Sequence, residues 1–159
     1  MEGILMKIGI IVHSYTGNTY EVAQKIEEKF KESGKDVEIK RVSMVGGDKP
    51  KGKDIEIKNP PDVEKCDALI FGSPVHGFAL SLAMKTYLKQ IPSLQDKKIA
   101  LFVTKGTRFN WTGGNQAINK MKKICESKGG IIIGTGIIVW NKQRNQKIAE
   151  LVQKFSLLF

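Results

Sequence analysis

Ser14-Tyr15-Thr16-Gly17-Asn18-Thr19 is the stretch whose residue types most directly imply chemistry. It follows the apolar run Ile8-Gly9-Ile10-Ile11-Val12 and precedes an amphipathic run of helical period. A hydroxyl-rich, glycine-containing turn between a strand and a helix suits a phosphate. The N–H groups at a helix start are unpaired, and the helix dipole adds partial positive charge there. Ser14, Thr16 and Thr19 offer hydroxyl donors, and Gly17 lets the backbone approach a ligand closely. The stretch holds no lysine or arginine, and it fits neither G-x-x-x-x-G-K-[ST] nor G-x-G-x-x-G. The remaining chemistry is a terminal phosphate monoester held by neutral donors. The ligand-free alternative is a well-capped helix start.

The elements that must position this turn follow from hydrophobic period. Lys7 to Val12 reads as a buried strand, and Val22, Ala23, Ile26 and Phe30 mark one helix face, stopped by Gly34. Val37 to Val42 alternates and reads as a strand nearer an edge. Ala68-Leu69-Ile70-Phe71 and Ile99 to Val103 are continuous apolar runs, hence buried strands. Leu82, Ala83, Tyr87, Leu88 and Ile91 form a helix face ended by Pro92. Ala117, Ile118, Met121, Ile124 and Cys125 form another, ended by Gly129-Gly130. Ile131 to Trp140 is the last strand, with Gly134 and Gly136 marking a bulge or close packing. Ile148, Leu151, Val152 and Phe155 give the last helix. Five strands alternating with helices predict a single α/β domain over 1–159, a doubly wound parallel sheet with helices on both faces. Between Ser43 and Cys66, Gly46-Gly47, Pro50, Gly52 and Pro60-Pro61 predict an irregular connection, with one helical turn near Asp62 to Lys65.

Ligands of such a sheet bind at the carboxyl ends of the strands, near the topological switch point. Two more segments reach that edge. One is the loop Gly72-Ser73-Pro74-Val75-His76-Gly77-Phe78, and the other is Thr104-Lys105-Gly106-Thr107-Arg108-Phe109-Asn110-Trp111. Both are rich in glycine and aromatic residues, as expected around a flat heterocycle.

With these residues in place, the sequence resembles the flavodoxin family. Ser14 to Thr19 matches the family's [ST]-x-T-G-N-T phosphate loop at every fixed position. The resemblance covers essentially the whole chain, at the length of a short-chain flavodoxin. It implies the strand order 2-1-3-4-5 and noncovalent FMN at the switch point. It also implies that Ser14, Thr16, Asn18 and Thr19 bind the FMN phosphate, with Tyr15 and Gly17 in the same loop. Ser73, Pro74, Val75, His76, Gly77 and Phe78 would line one side of the ring, with the Gly77 carbonyl as acceptor for the flavin N5–H. The backbone of Thr104, Lys105, Gly106 and Thr107 would cover the pyrimidine end, with Phe109 or Trp111 stacked on the ring or shielding its edge. The implied function is electron transfer to a redox partner protein or a small, anionic electron acceptor. The alternatives are a small FMN-dependent NAD(P)H or quinone oxidoreductase and a flavodoxin-fold interaction protein without flavin. Neither a catalytic triad nor a metal site is expected.

Composition narrows the alternatives. The 159 residues, 41% of them hydrophobic, suffice for one cored domain in which roughly 70% of the unfolded surface is buried. The net charge of +10 comes from 26 Lys and Arg against 16 Asp and Glu. It sets this chain apart from the many acidic electron-carrier flavodoxins and favours acidic partners or anionic substrates. The lysines are scattered, and no basic stretch is interleaved with aromatics, so nucleic acid is not an expected partner. No apolar run reaches membrane-spanning length and no signal-peptide pattern opens the chain, so a cytoplasmic location is expected. Cys66 and Cys125 read as reduced structural thiols. His13 reads as a packed strand-end residue and Lys105 and Arg108 as solvated. Trp140 reads as packing, and Phe155 to Phe159 as either packing or an association patch.

Overall fold

The computed structural model describes residues 6–47, 55–106 and 113–159. The elements in chain order are β1 (Lys7–Val12), α1 (Asn18–Glu32), β2 (Asp36–Arg41), β3 (Ser43–Met44), β4 (Ile57–Lys58), β5 (Ala68–His76), β6 (Ala79–Leu80), α2 (Leu82–Gln90), β7 (Lys98–Lys105), α3 (Gly114–Ser127), β8 (Ile131–Val139) and α4 (Arg144–Leu158). The main sheet is parallel in the order β2-β1-β5-β7-β8, the predicted 2-1-3-4-5 arrangement of the five long strands.

The apolar runs become central strands because a strand covered on both faces has no polar side. Successive residues of β5 and β7 point to opposite faces. Leu69, Phe71, Leu101 and Val103 pack with Met84, Leu88, Met121 and Cys125 of α2 and α3. Ile70, Ala100 and Phe102 pack with Ile26, Phe30, Leu151 and Phe155 of α1 and α4. Each fully buried large side chain contributes about 1.5–3 kcal/mol relative to exposure. Phe155 is buried and Phe159 lies 5.9 Å from the Phe30 ring, so the chain end packs on α1 while Leu157 stays exposed.

Four expectations are corrected. The segment Gly72 to Phe78 is not a loop: β5 runs on through His76, and Val75 and His76 pair antiparallel with Leu80 and Ala79 of β6. The strand continues because its end gains a hairpin partner after leaving the core. The stretch 43–66 holds a two-stranded antiparallel sheet, β3 with β4. Near Asp62 there is a single turn: the Glu64 N–H donates to Asp62 Oδ1 at 2.9 Å and the Cys66 N–H to Val63 O at 3.1 Å. An Asp side chain that caps its own turn competes with helix formation. The last strand ends at Val139, and the Trp140 N–H closes on Lys105 O at 2.8 Å. Lys105 is not solvated but 4% exposed, because its side chain lies over the start of α3.

Gly134 and Gly136 serve both expected purposes. The β7–β8 register jumps from Ile99↔Ile132 to Ala100↔Gly134, a bulge at Ile133. A Cβ on either glycine would strike Leu158 or Leu151 of α4.

Candidate functional site

The sheet reverses direction of winding between β1 and β5, and the sequence-predicted residues meet there. A cavity of about 240 Å³ is lined by Tyr15, Thr16, Asn18, Pro74, Val75, His76, Thr104, Lys105 and Gly106. It joins the ends of β1, β5 and β7, as strand ends at a switch point must. Thr107, Arg108, Phe109, Asn110 and Trp111 lie outside the described residues.

The Ser14 to Thr19 turn is built from the helix start. Gly17 caps α1 with φ +97°, a left-handed conformation that disfavours a side chain. The Ser14 hydroxyl accepts from the Tyr20 N–H at 3.2 Å. Among the described residues, the N–H groups of Thr16, Gly17, Asn18 and Thr19 have no intramolecular acceptor. Four unpaired amides at a helix N-terminus, in a loop without a cation, fit a phosphate monoester. FMN ends in such a group, so these residues fit it.

The hydroxyls divide the work. Thr16 is exposed in the cavity, whereas Thr19 is buried and its Oγ1 lies 2.8 Å from Thr104 Oγ1. Ser73 is fully buried, with its Oγ 2.9 Å from Pro74 O and 3.0 Å from Ser81 Oγ. Ser14, Thr19 and Ser73 therefore sit behind the wall, and Thr16, Asn18, Pro74, Val75 and His76 form it.

Both histidines of the chain stand at this edge. The His76 ring meets His13 edge to face at 6.0 Å and Tyr15 at 5.6 Å. His13 is buried, as expected of a packed strand end, and its Nδ1 lies 2.8 Å from Ser81 Oγ. Ser81 caps α2 by accepting from the Met84 N–H at 3.3 Å. Sequence reasoning missed Ser81. A serine directly before an apolar helical run is an N-cap signal, but its contact with a residue 68 positions away has no local signature.

Gly77 and Phe78 form the hairpin tip, both with positive φ, +55° and +67°, the pair of conformations a type I′ turn requires. Neither lines the cavity; Phe78 is 64% exposed. The tip is held by Gly113, where a Cβ would stand 2.5 Å from Phe78 Cα. Desolvation lowers the Lys105 ammonium below the ordinary lysine range. The arrangement can hold a phosphorylated, flat ligand through neutral donors, with imidazole and phenol rings beside it and one partly desolvated cation in its wall.

Comparison with known proteins bears on the family and the fold. The family described as NADPH-dependent FMN reductase matches residues 6–145. A flavodoxin of Megasphaera elsdenii is 30% identical over 134 residues, 82% of this chain and 85% of the relative. An NAD(P)H dehydrogenase (quinone) of Archaeoglobus fulgidus is 30% identical over 96 residues, 53% of this chain and 50% of the relative. Among solved structures, oxidised flavodoxin 2 of Bacillus cereus superposes with a TM-score of 0.71 at 20% identity, covering 96% of this chain and 99% of that one. Fusobacterium nucleatum flavodoxin bound to flavin mononucleotide gives 0.67 at 17% identity, covering 98% and 99%. These two structural likenesses speak to the fold.

Proposed function

The chain belongs to the flavodoxin-like, FMN-binding family, and from that premise we propose that it carries electrons between redox partners, with FMN held in the cavity between β1, β5 and β7. FMN, when bound, supplies one- and two-electron redox chemistry that protein side chains lack. The chain's own part is to bind, orient and tune. The amides of Thr16 to Thr19 and the Thr16 hydroxyl hold the phosphate. Pro74, Val75 and His76 flank the ring. Thr104 to Gly106 close the other side.

The observation that carries this reading is the set of four amides at the start of α1 without an acceptor among the described residues, two of them on residues that line the cavity. The test is reductive titration of the FMN-loaded protein, followed by absorption. A carrier takes up electrons in two resolved one-electron steps. Purified protein that neither holds FMN nor quenches its fluorescence would overturn the assignment.

A second reading, an NAD(P)H-driven oxidoreductase, is supported by the matching family's description and the Archaeoglobus relative's name. The net charge of +10 suits an anionic dinucleotide or acidic partner as well. Steady-state NAD(P)H oxidation with FMN and a quinone acceptor separates the two. Turnover favours the oxidoreductase, and its absence with every acceptor favours the carrier. No helix among the described residues is long and apolar enough to cross a membrane.

A further inference from the structure

We propose that His13 is a positioning residue for the cavity wall, acting through the proton order of the Ser81–Ser73 hydroxyl chain on the carbonyl of Pro74. The contacts run in one line: His13 Nδ1 to Ser81 Oγ at 2.8 Å, Ser81 Oγ to Ser73 Oγ at 3.0 Å, and Ser73 Oγ to Pro74 O at 2.9 Å. His13, Ser73 and Ser81 are buried, so solvent does not substitute for any of these partners.

A hydroxyl has one proton to give and two lone pairs to receive. Ser73 is within reach of two acceptors and serves one at a time. When His13 Nδ1 carries no proton, Ser81 donates to it and Ser73 donates to Ser81. The Ser73 proton is then withdrawn from Pro74 O. When Nδ1 carries a proton, it donates to Ser81 Oγ, whose other lone pair already takes the Met84 N–H. Both lone pairs of Ser81 are then filled, so Ser73 can no longer donate to it and turns its proton to Pro74 O. An imidazolium is protonated on both nitrogens and so imposes the second order. Pro74 lines the cavity. The protonation state of a buried ring is thus relayed to the backbone carbonyl of a residue that lines the cavity, without a contact between His13 and the ligand.

Other titratable groups share this surrounding. His76 faces His13 from β5, Tyr15 lies beyond His76 in the first loop, and Lys105 lines the same cavity from the end of β7. His76 is therefore the rival source of any histidine step.

The affinity readout rests on the proposed FMN site. FMN binding to the full chain is measured by fluorescence quenching from about pH 5.5 to 8.5, the range in which histidine titrates. The dissociation constant is expected to change about two- to tenfold across one step, the scale of one hydrogen bond. Ser73→Ala leaves Ser81 as helix cap and keeps its contact with His13. It should flatten the step, as should His13→Asn, while His76→Gln should leave it. A step that persists in Ser73→Ala, that disappears in His76→Gln, or that is absent from the unmodified chain overturns the relay. Nitrogen-15 spectra of the histidines in the flavin-free chain decide it independently. The pH profile of His13 should move in Ser73→Ala, and an unmoved profile overturns the proposal even if the chain binds no FMN. Failure to bind FMN alone counts against the site assignment and not against the relay.

Discussion

Thr19 and Thr104 join their side-chain hydroxyls at 2.8 Å beneath the cavity, tying the first turn of α1 to the end of β7. The two walls of the site come from segments 85 residues apart, and this bond sets their spacing. Thr104→Val keeps the shape and removes one partner. It should cost about 1–3 kcal/mol, the penalty for leaving the buried Thr19 hydroxyl unpaired, and it should weaken FMN binding. Urea unfolding with and without FMN measures both. The double variant with Thr19→Val should lose less stability than the sum of the single variants.

Ser14 and Thr16 lie two residues apart and should fail in different ways. Ser14→Ala removes the acceptor of the Tyr20 N–H and should cost about 1 kcal/mol of stability. Thr16 lines the cavity and makes no hydrogen bond among the described residues. Thr16→Ala should leave unfolding unchanged and weaken FMN binding by about tenfold. The pairing of denaturation midpoints with FMN titrations separates the two roles.

Gly113→Ala should be among the more damaging small substitutions. Its φ is +94°, and a Cβ would meet the Phe78 backbone at 2.5 Å. The left-handed backbone alone costs about 1–3 kcal/mol for a residue with a side chain. The contact would also push the β5–β6 hairpin outward. The expected result is a lower thermal midpoint together with weaker FMN binding, whereas an alanine at exposed Gly46 should leave FMN binding alone.

Alkaline pH should unfold the protein through its α2–α3 side. Burial pushes the Cys125 thiol from the ordinary 9.0 up to about 12, and burial likewise raises the Tyr87 phenol above its ordinary value. Both groups are neutral when protonated, so the folded state holds a proton that the unfolded chain releases. Stability is complete below pH 9.0 and falls as pH rises towards about 12. Each group adds a slope of about 1.4 kcal/mol per pH unit once its unfolded form ionises. Urea midpoints across that range should fall less steeply in Cys125→Ala than in the unmodified chain.

Much of the fold was legible in the residues because its signals are local. A buried strand needs a run such as Ile8 to Val12, and a helix against a sheet needs a stripe such as Val22, Ala23, Ile26 and Phe30. The Ser14 to Thr19 turn was legible for the same reason: a helix N-terminus, a left-handed glycine and flanking hydroxyls lie within six consecutive residues. The Gly72 to His76 segment read as a loop because strand pairing with Ala79 and Leu80 depends on a turn formed by Phe78, a residue that seldom takes positive φ.

The sequence by itself determined the alternation of strands and helices and the place of the Ser14 to Thr19 turn, and the family resemblance added the sheet order and FMN as the cofactor. The alternation follows from hydrophobic period and the turn from contiguous donors. Only the tertiary structure decided that Thr19 serves Thr104, that Gly113 props Phe78, that Lys105 is buried, and that His13 reaches Pro74 through two serines. Each of these depends on atoms brought within about 3 Å by packing of distant segments, and a hydroxyl or imidazole carries no mark in sequence of the partner it will meet.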